Sequence, residues 1–75
     1  MKTWEVLKYL IENPNSDKVF ISEQKYIKYD IYIDDYSKDI IIDELPDGFG
    51  GWIYKTSFNN SEMSKLLLID NWKCD

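Results

Sequence analysis

Seven carboxylates crowd residues 30–47, namely Asp30, Asp34, Asp35, Asp39, Asp43, Glu44 and Asp47, countered there by Lys38 alone. Carboxylates at that density suit three kinds of chemistry: acid–base catalysis, binding of a hard cation, or attraction of a basic partner. The first finds little support. The chain contains no His and no Arg, so no Ser-His-Asp or Cys-His arrangement can be assembled within it. A glycosidase-type carboxylate pair needs a substrate cleft, which 75 residues have little room to enclose. The chain reads as a protein that is not an enzyme.

The second chemistry has ligands but not the spacing. Asp30-x-x-x-Asp34-Asp35 and Asp43-Glu44-x-x-Asp47 supply oxygen atoms, yet neither follows the Asp-x-Asp-x-Asp-Gly pattern with a distal Glu that builds a calcium loop. No cofactor is expected. Electrostatic attraction remains. The net charge is −5, and the flanks are close to neutral: residues 1–29 carry five Lys and four acids, residues 48–75 three of each. The excess lies in one segment, and a localised negative field steers a basic partner from a distance. Direct nucleic-acid binding is not expected, because the lysines are dispersed and there is no basic patch.

The elements that must position these acids are legible. Residues 25–34, KYIKYDIYID, place Ile27, Tyr29, Ile31 and Ile33 on one face of a strand, and Tyr26, Lys28, Asp30, Tyr32 and Asp34 on the other. Residues 35–38 supply turn chemistry, and residues 39–44, DIIIDE, read as the hairpin partner. Asp30 and Asp34 then flank Tyr32 on a polar face, and Asp39 and Asp43 share a face. Such rows keep a small protein soluble and blunt a sheet edge; they also resemble the spaced charges of a nucleic-acid backbone to a protein that binds one.

All three glycines fall in residues 44–58, ELPDGFGGWIYKTSF, beside Phe49 and Trp52. Pro46-Asp47-Gly48 matches a β-turn, and residues 52–56 resume strand-like composition. Phe49 between glycines is either folded onto the core or offered to a partner, and Trp is enriched in binding hot spots. The expected partner-binding set is therefore Asp30, Tyr32, Asp34, Asp35, Asp39, Asp43, Phe49 and Trp52.

Around this hairpin, Thr3 caps a helix over residues 4–12 whose apolar stripe is Trp4, Leu7, Leu10 and Ile11, with Val6 beside it. Residues 13–16, NPNS, end it. Residues 19–21 form a short strand, and Asn59 to Glu62 offer caps for a second helix over residues 62–67. Leu68 and Trp72 are expected to close the sheet or pack on the first helix. The predicted fold is a single α+β domain over residues 1–75: an antiparallel sheet of 3–5 strands packed against an N-terminal helix, with a short second helix near the C-terminus. Cys74 is the one cysteine, no secretory signal is evident, and no apolar run spans a membrane, so a cytoplasmic location is expected.

Two segments carry a resemblance. Trp4-Glu5-Val6-Leu7-Lys8-Tyr9-Leu10-Ile11-Glu12-Asn13-Pro14 resembles the start of small phage and prophage proteins reading W-E-x-L-K-x-L-x-x-N-P, and Leu67-Leu68-Ile69-Asp70-Asn71-Trp72 is similar to their L-L-x-x-D-W ending. Together they cover about a quarter of the chain. Some proteins with the second ending are anti-defence inhibitors, including sequesterers of the cyclic nucleotide signal of Thoeris immunity. The resemblance implies a compact α+β protein made by a virus of Gram-positive bacteria, and inhibition by protein contact stays open. This chain lacks their long middle region and any arginine to hold a phosphate, and no binding residues carry over.

The expected function is inhibition of a bacterial host protein with a basic surface, through the acidic hairpin and aromatic turn, by steric block or nucleic-acid mimicry. Two alternatives stand beside it. One is a small-molecule binder for a nucleotide signal, with aromatics stacking on the base. The other is a self-associating module whose sheet edges pair between copies.

Overall fold

Alternation is the strongest structural instruction in the chain, and residues 27–33 obey it: Tyr29, Ile31 and Ile33 are buried and Ile27 half-buried on one face, with Lys28, Asp30 and Tyr32 on the other. The computed structural model describes residues 1–46, 53–55 and 58–74, the side chains of Pro46 and of residues 53–55 excepted. Asp47, Phe49 and Trp52 lie outside the described residues.

The order of elements is α1 (Thr3–Glu12), β1 (Phe20–Glu23), β2 (Ile27–Ile33), β3 (Ile40–Pro46), β4 (Ile53–Lys55), α2 (Asn60–Leu67) and β5 (Lys73–Cys74). The strands form one antiparallel sheet in the order β4-β3-β2-β1-β5. The α+β architecture is thus the one the sequence predicts. The edge strand β5 is new, since two residues are too few to show a period. Pro46 ends β3 opposite Ile27, and the rest of the expected β-turn, Asp47 and Gly48, lies outside the described residues. Among the described residues the pairing with β4 ends at Glu44, so the missing N–H of Pro46 interrupts no described pairing with that strand.

Both helices lie on the face of the sheet bearing Ile31. Val6 and Leu10 of α1, Leu66 of α2, and Ile69 and Trp72 after it pack with Phe20, Tyr29, Ile31 and Ile33. Fully burying side chains of this size stabilises the fold by about 1.5–3 kcal/mol each. Tyr9 meets Phe20 edge-to-face, with ring centroids 5.6 Å apart and planes at 69°.

The buried stripe of α1 differs from the predicted one. It runs Thr3, Val6, Leu10, with Leu7 and Tyr9 half-buried beside it, while Trp4 and Ile11 are exposed on the outer side. Residues seven apart share a face, so the sequence offered two apolar stripes and the sheet took the more compact one. Nor is Thr3 the cap. Lys2 holds that position, its N–H donating to Glu5 Oε1 at 2.8 Å, and Thr3 is the first helical residue. In α2 the cap is Asn59, whose Oδ1 accepts from Glu62 N at 2.9 Å while Asn59 N donates to Glu62 Oε1 at 3.2 Å. Glu62 is therefore the third helical residue and the helix begins two residues before the predicted start.

Freed from capping, Thr3 joins three elements. Its hydroxyl is buried and donates to the Leu66 carbonyl, with the Ile69 carbonyl 3.3 Å away, and accepts from Trp72 Nε1 at 2.7 Å. Thr3 N also donates to Ile69 O at 3.2 Å, and Trp72 N to Met1 O at 3.1 Å. A second polar cluster fixes the same segment to β1. Buried Ser22 donates to Asn71 Oδ1 at 2.6 Å, Gln24 Nε2 donates to Ser22 Oγ at 2.7 Å, and Asn71 Nδ2 donates to Glu23 O at 3.3 Å. These bonds seat Trp72 in the core and bring β5 beside β1. Leu68, expected to share the packing, is exposed at the end of α2.

Replacing Thr3 by Val keeps the shape and removes the hydroxyl, leaving the indole N–H without its acceptor, while the Leu66 carbonyl keeps the Ile69 N–H at 3.2 Å. A buried polar group deprived of its partner costs about 1–3 kcal/mol. Thr3→Val is therefore expected to lower unfolding free energy by about 1–3 kcal/mol, and Thr3→Ser by clearly less, in urea denaturation followed by tryptophan fluorescence. Equal losses for Val and Ser would show that the hydroxyl carries none of this stability.

Candidate functional site

The β2–β3 connection, residues 34–39, has the sequence Asp-Asp-Tyr-Ser-Lys-Asp. Aspartate stabilises turns by accepting from backbone a few residues on, and Asp34 does so: its Oδ2 takes bonds from Ser37 N at 2.8 Å and Ser37 Oγ at 2.9 Å. Lys38 N donates to Asp34 O at 2.9 Å, Asp39 N to Ser37 Oγ at 3.2 Å, and Asp34 N to Asp39 O at 2.9 Å. Lys38 adopts φ 62°, the left-handed conformation that lets the chain reverse. The bonds from Ser37, backbone first and hydroxyl second, hold the Asp34 carboxyl below the usual carboxylate range.

At the tip of this tied turn stands Tyr36, 97% exposed, with Asp35 and Asp39 exposed on either side. The sequence reading treats Tyr36 as turn filler. A usable signal was present: a bulky ring two residues beyond the end of an alternating strand, inside a turn, has no core within reach.

The remaining predicted acids lie elsewhere. Asp30 pairs directly with Asp43 across β2 and β3, and Tyr32 with Ile41. This outer face was expected to meet solvent along its length. At its centre it does not: Ile41 is 4% and Asp43 8% exposed, and Asp30 and Tyr32 are half-buried. The row of solvent-facing carboxylates is therefore corrected to an exposed group at the turn and a sequestered pair within the sheet. The alternation places Asp43 on the outer face correctly, but a period of two cannot say whether that face is covered.

Two carboxyls directly opposite one another repel when both are charged. Burial, and next the Asp43 carboxylate, push Asp30 up to about 6, with Lys28 opposing the shift. Burial and the same Asp43 carboxylate push the Tyr32 phenol up to about 12. Asp30 Oδ1 is buried without a hydrogen-bond partner, an expensive position for a charged carboxylate. Tyr29, on the opposite face, is also raised, by burial and then by Glu44.

Among the described residues no three Asp, Glu, Cys or His side chains converge to hold a metal ion, and no helix is long and apolar enough to cross a membrane. Phe49 and Trp52, the aromatic half of the predicted site, fall outside those residues.

The carboxyl pair has a signed consequence. Asp30 titrates near 6 in the folded protein and about 3.9 when unfolded, so its contribution to stability is fully present below pH ~4 and is lost as pH rises through ~6. Asp34 acts oppositely, its contribution being lost only as pH falls below ~4. The urea midpoint should fall between pH 4.5 and 7. In Asp30→Asn, where an amide can donate to Asp43 at every pH, it should stay level and exceed wild type at pH 7. A wild-type midpoint unchanged over that interval would count against the pair.

No protein-family model, no curated protein and no solved structure matches the chain.

Proposed function

We propose that this protein is a docking module that engages a basic surface of another protein through the acidic β2–β3 turn. The single observation behind this reading is the construction of the turn: Tyr36 is 97% exposed between Asp35 and Asp39, on a backbone already fixed by Asp34 and Ser37. A ring presented in one backbone geometry loses little conformational entropy on binding, and Tyr is among the residues that most often dominate interface energies. Exposed carboxylates beside it raise the rate of encounter with a cationic partner. The division of labour is then clear: charge sets association, and the ring sets lifetime.

The resemblance to small phage proteins makes such a module an inhibitor of a bacterial host protein, acting in the bacterial cytoplasm by steric block. Mimicry of a nucleic-acid backbone is the weaker form of this idea, because Asp30 and Asp43 are withdrawn from any continuous row of charge.

The test uses partner captured from bacterial lysate, then purified. Tyr36→Ala should weaken binding about tenfold or more, chiefly by faster dissociation. Asp35→Asn with Asp39→Asn should slow association and flatten its dependence on salt. Asp34 should be left intact, since its carboxylate builds the turn. A partner that binds the triple variant as tightly as wild type, with the same salt dependence, would refute the proposal.

A further inference from the structure

A groove of about 300 Å³ opens beside the turn, where the segment before β1 passes the end of β2. That volume is at the lower end for small-molecule pockets, about 300–1,000 Å³, and suits one inserted side chain better than a nucleotide. Its lining combines three chemistries. Val19 supplies apolar surface, Tyr32 and Tyr36 aromatic surface, and Asp17 and Asp35 carboxylates; Ile33 and Asp34 also border it, Ile33 with its side chain buried on the opposite face and Asp34 with its carboxylate bonded to Ser37. Lys18 also borders the groove, but its ammonium lies over the Tyr9 ring at 5.3 Å. The charge offered to a visitor is therefore negative.

The carboxylates do not converge as a metal-ligand set, so they match an extended organic cation and not a point ion. A side chain that fits needs an apolar stem for Val19, a flat cationic head for the tyrosine faces, and several N–H donors for the separated carboxylates of Asp17 and Asp35. Arginine has all three, whereas lysine lacks the planar head and the fork of donors. The present chain contains no arginine to fill the groove itself.

We infer that the groove lined by Val19, Tyr32, Ile33, Asp34, Asp35 and Asp17 is a receptor for an arginine side chain of the partner. This deepens the docking reading above and rests on it. Tyr36 serves both parts, as the exposed tip and as one wall.

The experiment titrates N-acetyl-arginine amide into the full chain, labelled with ¹⁵N, and follows backbone amides, with the citrulline analogue as the uncharged control of the same shape. Arginine amide is expected to give saturable shifts at Val19, Tyr32 and Ile33, with a Kd of about 1–10 mM. Citrulline amide should bind about tenfold more weakly. Val19→Lys, which sets the chain's own ammonium in the groove, should remove the response. Asp17→Asn should weaken it about two- to threefold, which guards against a Val19 variant that fails to fold. Linear, unsaturated shifts, or equal shifts with citrulline, overturn the groove. If the purified partner still gives a salt-dependent response at Asp35 and Asp39 in that case, the groove alone is overturned; if that response is absent too, so is the docking reading beneath it.

Discussion

The fold depends on a single hydroxyl. Thr3 has one proton to donate and two lone pairs to offer, and its partners are the Leu66 carbonyl at the end of α2 and the indole N–H of Trp72. A domain of this size buries only about 60% of the surface its unfolded chain exposes, so a tryptophan left outside the core would be a large loss. Trp72 can be buried only if its N–H finds an acceptor, and among the described residues that acceptor is Thr3. The same bonds draw the segment after α2 against the start of α1, and Asn71 ties it to β1 through Ser22. The two helices and β1 are thereby tied to one another through the segment after α2.

The two faces of the sheet obey different physics. The face bearing Ile31 is mostly apolar and covered by both helices, and burial of area stabilises it together with the bonds of Thr3 and Ser22. The other face holds Ile41 beside Asp30, Asp43 and Tyr32, where low exposure makes each unmatched charge expensive. The acids of one hairpin consequently have three separate fates. Asp34 is spent on local structure, Asp30 and Asp43 on each other, and only Asp35 and Asp39 remain turned wholly outward.

How much of this was legible in the sequence follows from the range of each interaction. The β2–β3 hairpin was readable because alternation and turn chemistry are local, and its strand boundaries shifted by only one or two residues. The capping box of α2 was visible in Asn59 and Glu62, although its frame was misplaced. The stripe of α1 was misread because Trp4 and Ile11 are as apolar as Val6 and Leu10, and only the sheet decides between them. Thr3 was assigned to a cap because a capping threonine is a short-range habit; its actual partners lie 63 and 69 residues away in sequence. Likewise the acidic segment was plain, but the burial of Asp43 depends on what lies across the outer face, and no pattern within residues 39–44 records that.

The tied turn has one more implication. Its geometry is maintained by the carboxylate of Asp34, the hydroxyl of Ser37 and the left-handed Lys38, none of which touches the side chain at position 36 through any bond described above. Scaffold and presented group are thus separable. Substitution at position 36 can therefore change the group displayed at the tip while leaving the bonds that shape the turn in place.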